Sequence, residues 1–341
     1  MPLEGWVAGL GVLGVVAYAV LGGADFGGGI WDAFAHGPRK AQQREAIAHA
    51  VGPVWEANHV WLIFVIVLVF TAFPLAYAAL SVALFIPFHL VLLGIILRGA
   101  SFVFRAYSPQ SARSTGPAPG GRRWGAVFGM ASVITPPLLG MCLGAISSGS
   151  LRVADGHVVS GGAAAWLTPI SIGIGALALS ICAYLAAVYL ANETDGALRE
   201  DFRREALLAG TFVVAFSVIV LPLLRSGAPH LWNGLLGGRA APVVGVGIAA
   251  ALTSGWTLLR RRYRVARMAA VAQVVCLLVG WALAQYPYLI YPDLTLRAAA
   301  APTPTLLFVL YSLPLGMVLL LPSLWLLFRV FKGEYLTLGE R

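Results

Sequence analysis

The chain has little charge, little cysteine and none of the common signatures of a soluble enzyme. Asp, Glu, Lys and Arg make up only 11% of its 341 residues, whereas hydrophobic residues make up 59%. Soluble domains carry about 25% charged residues, so this composition excludes an ordinary soluble domain. The three cysteines, Cys142, Cys182 and Cys276, lie far apart inside apolar runs. They have neither disulfide nor metal-site spacing, and packing is the better interpretation.

Several short patterns are absent or lack their structural context. The sequence contains no H-E-x-x-H or C-x-x-C, and residues 9–14 match G-x-G-x-x-G without a preceding strand. The first residues carry no basic stretch, which argues against a cleaved signal peptide. The net charge of +9 comes from arginines spread over alternate loops rather than gathered on one face. Nucleic acid is therefore not an expected partner.

The sequence is instead a succession of apolar runs, each long enough to cross a bilayer of about 30 Å. Backbone polar groups in lipid must be satisfied within the segment, so these runs predict helices. We predict an all-α polytopic membrane protein in which residues 1–341 form a single transmembrane domain. The roughly nine predicted spans are residues 6–30, 54–75, 78–104, 124–148, 163–191, 205–225, 240–260, 266–288 and 303–331.

The basic residues predict how these spans are oriented. Eighteen lysines and arginines fall in one set of alternate loops and only four in the other, with Arg98 inside a span. The arginine-rich side is expected to be cytoplasmic. An odd number of spans then places the N-terminus outside and the C-terminus inside.

A dense polar cluster opens the second predicted span. Pro53 suits the first turn of a helix, where its missing N–H has no partner. Helical spacing then puts Glu56 and His59 on one face, one turn apart. So many polar groups at a membrane span predict a functional site, although the two tryptophans also suit an interfacial belt. The members of the cluster are Trp55, Glu56, Asn58, His59 and Trp61.

Two more charged residues are predicted at the same membrane level. Asp25 lies near the cytoplasmic end of the first span, where surrounding glycines favour a buried carboxylate that faces neighbouring helices. Arg98 lies near the cytoplasmic end of the third span. With Glu56, these residues would form a cluster of two carboxylates and one guanidinium that compensate one another. Such a cluster either holds three helices together or forms the inner mouth of a proton path.

Two other classes of membrane protein also have to be considered. A secondary transporter would show matched halves with interrupted helices, and no such halves are visible. A heme-binding electron-transfer subunit would need two histidines on facing helices. His89 lies deep in the third predicted span, but no other histidine lies comparably deep. A hydrogen-bonded packing role is therefore the better interpretation of His89.

Long motifs in this chain resemble subunit II of cytochrome bd-type quinol oxidases, including the cyanide-insensitive branch. Gly-Ala-Asp-Phe-Gly-Gly-Gly closes the first span, and Gly-Pro-Val-Trp-Glu-Ala-Asn-His-Val-Trp-Leu opens the second. Arg98 closes the third span, and Gln285-Tyr-Pro-Tyr-Leu precedes an irregular stretch before the last. The resemblance covers essentially the whole chain.

The resemblance implies a role in respiration. The family couples quinol oxidation to reduction of O2 to water in the bacterial inner membrane. Its subunit I carries two b-type hemes and one d-type heme. Subunit II binds no heme, supports assembly of the heme site, and is linked to a proton route and to a bound structural quinone. Small accessory subunits and a fold of two four-helix bundles plus one extra helix belong to the same expectation.

The resemblance also assigns residues. Asp25, Trp55, Glu56 and Arg98 match the membrane polar cluster of the family, in which the position of Glu56 is often Asp. His59 stands where many members carry Glu or Gln. The resulting hypothesis is a heme-free second subunit without a catalytic residue or metal ligand of its own. In this hypothesis cytoplasmic protons pass through Asp25, Glu56 and His59.

Overall fold

The computed structural model describes residues 2–106 and 119–338, without the side chains of residues 51–56, 105–106, 119–122 and 327–338. Within these ranges the chain is helical except for two short hairpins. Eight helices are long and apolar enough to cross a membrane, and a bent helix pair makes a ninth crossing if it counts as one span. The long helices are α1 (Leu3–Phe34), α2 (Lys40–Ala72), α4 (Phe85–Ala106), α5 (Pro119–Ser148), α7 (Pro169–Glu193), α8 (Gly196–Gly227), α10 (Ala241–Leu259), α11 (Tyr263–Gln285) and α13 (Thr303–Leu338).

Short elements connect these helices. The short helices are α3 (Pro74–Ala83), α6 (Ala163–Trp166), α9 (Pro229–Gly237) and α12 (Leu296–Ala299). The antiparallel pairs are β1 (Arg152–Ala154) with β2 (His157–Ser160), and β3 (Tyr288–Ile290) with β4 (Leu294–Thr295).

The start of the second span is the largest difference from the sequence prediction. α2 begins at Lys40 instead of residue 54 and runs for 33 residues. Pro53 therefore lies inside a helix, and the expectation that it opens one is wrong. The extra turns continue the helix on the arginine-rich side, where Gln43 and Ile47 are buried.

The second and third spans meet at a sharp bend. α2 ends at Ala72, and α3 leaves it at 117°. Pro74 explains the break, because it lacks an N–H and disfavours the helical conformation at Phe73. Residues 78–83 therefore belong to α3, the short helix that follows the bend. The third crossing is α4, which begins at Phe85.

Two further predicted boundaries also move. The fifth span is divided into α6 and α7, and Thr168 caps α7 by accepting a hydrogen bond from the Ser171 N–H at 3.2 Å. The eighth helix ends at Gln285, because residues 286–295 form a hairpin with cis peptide bonds before Pro287 and Pro292.

The crossing helices pack in two groups of four. α1, α2, α4 and α5 form the first group, and α7, α8, α10 and α11 form the second. The groups meet where α1 and α5 contact α7, and α13 lies against α1 and α2. This arrangement agrees with the expected two four-helix bundles plus one helix.

Glycines bring the two groups close together. A Cβ on Gly27 of α1 would overlap the Cys182 carbonyl oxygen of α7 and lie 2.6 Å from the Ala186 Cβ. A Cβ on Gly29 would overlap the Ser132 hydroxyl of α5. The small-residue face predicted for the first helix is therefore a packing surface.

Candidate functional site: a buried ion pair shared by four helices

Asp25 and Arg98 form an ion pair in the interior of the first helix group. Asp25 is 0% exposed and Arg98 is 1% exposed. The Arg98 Nη1 bonds the Asp25 Oδ2, and the Nη2 donates to the Asp25 Oδ1 at 2.7 Å and to its backbone carbonyl at 2.6 Å. The pair joins α1 to α4 and confirms that these two residues meet.

Two polar side chains complete the ion pair. Asn58 of α2 donates from its Nδ2 to the Asp25 Oδ2 at 2.7 Å. Ser132 of α5 accepts from the Arg98 Nε at 2.9 Å and donates to the Phe128 carbonyl at 2.7 Å. Each of the four helices α1, α2, α4 and α5 therefore contributes a hydrogen-bonding group to this site.

Aromatic rings enclose the guanidinium. The Arg98 Cζ lies 4.8 Å from the ring centroids of both Phe26 and Phe128. Cation–π contacts of this kind gain strength where water is excluded. One carboxylate and two aromatic rings therefore compensate the buried positive charge of the guanidinium.

The described contacts assign the predicted site residues different roles. Asn58 is buried and binds Asp25 directly. His59 and Trp61 are half-buried, and Trp61 packs edge-on against Phe64 with ring centroids 6.2 Å apart. The side chains of Trp55 and Glu56 lie outside the described part of the structure, so their predicted roles stay predictions.

Two residues of this site, and a second buried aspartate on the same helix face, were missed from sequence. Ser132 and Phe128 lie on α5, which the sequence analysis did not connect with the cluster. Asp32 of α1 is 1% exposed, seven residues beyond Asp25 and hence on the same helix face. Arg44 of α2 donates from its Nε to the Asp32 carbonyl at 3.2 Å. The seven-residue spacing of the two aspartates was a usable signal for Asp32.

Two buried polar atoms flank the ion pair and have no hydrogen-bond partner among the described residues. They are the Tyr18 hydroxyl and the Asn58 Oδ1. A Cβ on Gly22 would lie 3.5 Å from the Tyr18 ring and 3.7 Å from the Asn58 Nδ2, so both side chains border this glycine. Groups of this kind commonly bind an ordered water.

The ion pair is well suited to holding helices in place. Both carboxylate oxygens already accept hydrogen bonds, and Arg98 cannot give up a proton in a protein. A satisfied buried ion pair can fix the relative position of helices and specify their packing. The contacts therefore support a structural role for the pair, and the proton role predicted for Asp25 stays a prediction.

The arginine-rich ends of the helices carry a second set of ion pairs. The Arg39 Nε and Nη2 donate to the two Asp201 carboxylate oxygens at 2.7 and 2.6 Å. The Gln43 Nε2 donates to the same carboxylate at 3.2 Å. These bonds join the α1–α2 connection to α8 and link the two helix groups.

An apolar groove runs between α2 and α13. It has a volume of about 450 Å³, and Trp61, Phe64, Phe308 and Gly316 are among the residues that line it. The hydroxyls of Thr71 and Ser312 are polar groups in the same wall. A groove of this composition can accept an isoprenoid or acyl chain.

The described histidines do not gather with other metal-binding side chains. Among the residues that the structure describes, no group of three His, Cys, Asp or Glu side chains could hold a metal ion. His89 lies in the second turn of α4, so the expectation that it lies deep in a span is wrong. Its exposed ring lies against Phe85 at 3.9 Å between centroids with the ring planes tilted by 34°, and the Nδ1 lies 2.7 Å from the Phe85 carbonyl.

Comparisons with known proteins extend these observations. The family model described as "Cytochrome bd terminal oxidase subunit II" matches residues 3–331. A Bacillus subtilis protein named "Putative cytochrome bd menaquinol oxidase subunit II" is 23% identical over 94% of this chain and 93% of its own. The "Cytochrome bd-I ubiquinol oxidase subunit 2" of Escherichia coli K12 is 26% identical over 60% of this chain and 52% of its own.

A solved structure shares the fold. A chain of the bd oxidase from Geobacillus thermodenitrificans aligns with a TM-score of 0.81 and 23% identity, over 97% of this chain and 99% of that one. The helix order described above is therefore the order of a known membrane fold.

Proposed function

Because the chain belongs to the cytochrome bd terminal oxidase subunit II family, we propose that it is the heme-free second subunit of a quinol-oxidising terminal oxidase in a bacterial inner membrane. It packs against a larger subunit I that carries hemes b and d, and it supports assembly of the site where O2 is reduced to water. The observation that carries this proposal is the family match across residues 3–331. Small accessory subunits are further partners in the same complex.

The buried ion pair supports a scaffolding role. A single site that joins four helices fixes the shape of the surface that the chain presents to a partner subunit. His89 faces outward from α4, so an interior bis-histidine heme would lack one of its ligands there. In this proposal the reactions of the complex take place in subunit I, and this chain acts as its scaffold.

A knockout tests the assembly role. Membranes of a host that lacks this chain are expected to lose quinol-dependent O2 uptake by the complex and the absorption of its d-type heme. The wild-type gene should restore both signals. Normal heme absorption without this chain would overturn the proposal.

A proton route is the second, finer part of the proposal. The arginine-rich ends of the helices face the cytoplasm, and protons enter there through Glu56 and His59. Asp25 is the third group of the route, and its carboxylate is hydrogen-bonded to Arg98 and Asn58. The unpartnered Tyr18 hydroxyl and Asn58 Oδ1 beside the pair support the route, because ordered water bound there would extend a hydrogen-bonded chain toward subunit I.

Glu56→Gln tests the route, because glutamine keeps the size of the side chain and cannot exchange a proton. The assembled complex should retain its hemes but lose most of its turnover and generate less membrane potential. Glu45→Gln is the matched control, since Glu45 is exposed on the same helix outside the predicted span. Wild-type turnover and potential in Glu56→Gln would leave Glu56 with a structural role only.

A structural quinone fits the groove between α2 and α13. The lining is apolar enough for an isoprenoid tail. The Thr71 hydroxyl in the same wall can donate to a carbonyl oxygen, whereas the Ser312 hydroxyl already donates to the Val309 carbonyl at 3.3 Å. A Cβ on Gly316 would meet nothing within 4 Å, so Gly316→Leu adds an apolar side chain to the wall of the groove. Quinone extracted per purified complex should fall by one equivalent in this variant. An unchanged amount would place any bound quinone elsewhere.

A further inference from the structure

The turn between α10 and α11 contains an unusual concentration of positive charge. Four of the five residues from 260 to 264 are arginines, and none is acidic. α10 has 19 residues, which at about 1.5 Å per residue spans about 28 Å, close to the thickness of about 30 Å of the hydrocarbon core of a bilayer. The turn that follows it therefore lies at the level of the lipid headgroups.

Most of this charge is not neutralised within the chain. The Arg261 Nη2 lies 3.5 Å from the Glu200 Oε2, but Glu200 also binds the Arg203 Nη1 at 2.6 Å. Arg262 and Arg264 are exposed and form no ion pair with any residue of the described ranges. Because one carboxylate is shared between two arginines, the turn carries a net positive charge directed outward.

The groups around the turn do not change this balance. Arg199 of α8 stacks over the Tyr263 ring at 5.1 Å and pairs with Asp195 at 2.6 Å. Arg267 of α11 pairs with Glu193 at 3.0 Å. Both nearby carboxylates thus already have an arginine partner, and neither compensates the arginines of the turn.

An apolar surface lies directly below the charged turn. Trp256 is 56% exposed, and the Arg260 Cζ lies 5.4 Å from its ring centroid. The other large side chains on the outward face of the helix ends are also strongly exposed: Leu252, Leu259, Val265 and Met268. Apolar area at acyl-chain depth, an indole at the interface and arginines above it match the layers of a phospholipid molecule.

We propose that the α10–α11 turn binds the headgroup of an anionic phospholipid, with the lipid phosphate held by Arg262 and Arg264 and the acyl chains lying on Trp256 and its apolar neighbours. Guanidinium groups bind phosphate oxygens in bidentate geometry, which makes arginine well suited to this contact. The uncompensated charge favours a lipid with net negative charge over a zwitterionic one, whose own ammonium group cancels the attraction. The site belongs to this chain and needs no residue of the ion-pair cluster.

The test uses the purified complex in phosphatidylcholine nanodiscs, titrated with phosphatidylglycerol and followed by native mass spectrometry. Each basic residue near an anionic surface contributes about fivefold in affinity, so Arg262→Gln with Arg264→Gln should weaken phosphatidylglycerol binding by about 25-fold. Arg225→Gln with Arg297→Gln is the matched control. It removes the same charge from exposed arginines on the opposite side of the bundle and should leave the binding unchanged.

Three results would overturn the proposal. Equal phosphatidylglycerol affinity in the test variant and the wild type would show that the turn does not bind the lipid. An equal loss in both double variants would show that only overall charge matters. A separate titration with inorganic phosphate distinguishes the source of the anion. Phosphate should compete weakly with the lipid, because it cannot use the apolar surface, and full competition at similar concentrations would indicate a free-anion site instead.

Discussion

Arg98 organises the buried polar structure of the first helix group. Its guanidinium bonds Asp25 and Ser132 and lies between the rings of Phe26 and Phe128. The side chain is fully buried, so bulk water does not solvate its positive charge. Removing one partner of such a pair leaves an uncompensated charge in a low-dielectric interior, which costs more than the pair itself contributes.

Arg98→Gln is therefore expected to destabilise the protein by about 3–5 kcal/mol. The assembled complex should unfold at a lower temperature in detergent, and its yield should fall. The double variant Asp25→Asn with Arg98→Gln removes both charges and should recover part of the loss. A double variant as unstable as the sum of the two single variants would show that the ion pair has no coupling energy.

Sequence and topology predicted this pair but not its whole surroundings. Asp25 and Arg98 could be matched because a charge inside a span needs a partner at the same depth. Asn58 was placed in the cluster without a role, since its contact depends on the rotation of α2. Ser132 was missed, because a serine in an apolar helix gives no charge signal and its contact depends on how α5 packs against α4.

Among the helices, α1 is one of the two, with α5, that make the main contacts of the first group with α7 of the second. Its glycines allow α7 and α5 to approach so closely that backbone and side-chain atoms occupy the space of a methyl group. Trp31 adds a hydrogen bond across the same interface, from its Nε1 to the Ala183 carbonyl at 2.8 Å. Close packing, rather than apolar burial alone, stabilises helix contacts in lipid.

Gly27→Ala tests this contact. The new methyl group would overlap the Cys182 carbonyl oxygen and press on Ala186, so α1 and α7 must separate. Overpacking of this kind costs about 1–3 kcal/mol, measured as a lower thermal midpoint of the complex. Gly9→Ala on the same helix is the control, because its Cβ would meet nothing within 4 Å. It should be neutral or stabilising by up to about 1 kcal/mol. Equal effects of the two substitutions would contradict the packing account.

The hairpins on the side opposite the arginine-rich turns give a pH-dependent contact. Asp293 accepts hydrogen bonds from the Arg152 Nε at 2.7 Å and from the Val153 N–H at 2.9 Å. These bonds hold the pKa of the Asp293 carboxyl below its usual range. A depressed folded-state pKa stabilises the contact above the unfolded pKa of about 4, and this stabilisation is lost as pH falls through the lower folded value.

Hydrogen exchange can measure this effect. Amides of β1 and β2, corrected for intrinsic rates, should become less protected as the pH is lowered below about 4. Asp293→Asn cannot titrate, so its protection should be lower at neutral pH and should change little on acidification. The same loss of protection in both proteins would assign the pH effect to other groups.

The observed helix boundaries show which helical residues the hydropathy pattern did not predict. Residues 40–53 mix polar residues with alanines, so they produced no long apolar run, yet they are mostly good helix formers and extend α2. Their packing partners are distant in sequence, as in the contact of Gln43 with Asp201 of α8. Pro74 was a usable break signal that the prediction placed inside a span.

At the scale of the whole molecule, the sequence correctly predicted the fold class and the order of the helices along the chain. Apolar runs specify crossing helices because lipid allows few other backbone conformations. The grouping of helices could not be derived in this way, because it depends on glycine contacts and ion pairs between segments far apart in the chain. The family resemblance supplied that arrangement, and the fold shared with the bd oxidase structure confirms it.

The central claim is that this chain is the heme-free partner of a heme-bearing subunit. Its most direct test is to purify the tagged chain from native membranes and measure the mass, stoichiometry and heme absorption of what accompanies it. The account predicts a larger heme-bearing protein in one-to-one ratio and no Soret band from the chain expressed alone. A Soret band from the isolated chain, or purification without such a partner, would contradict it.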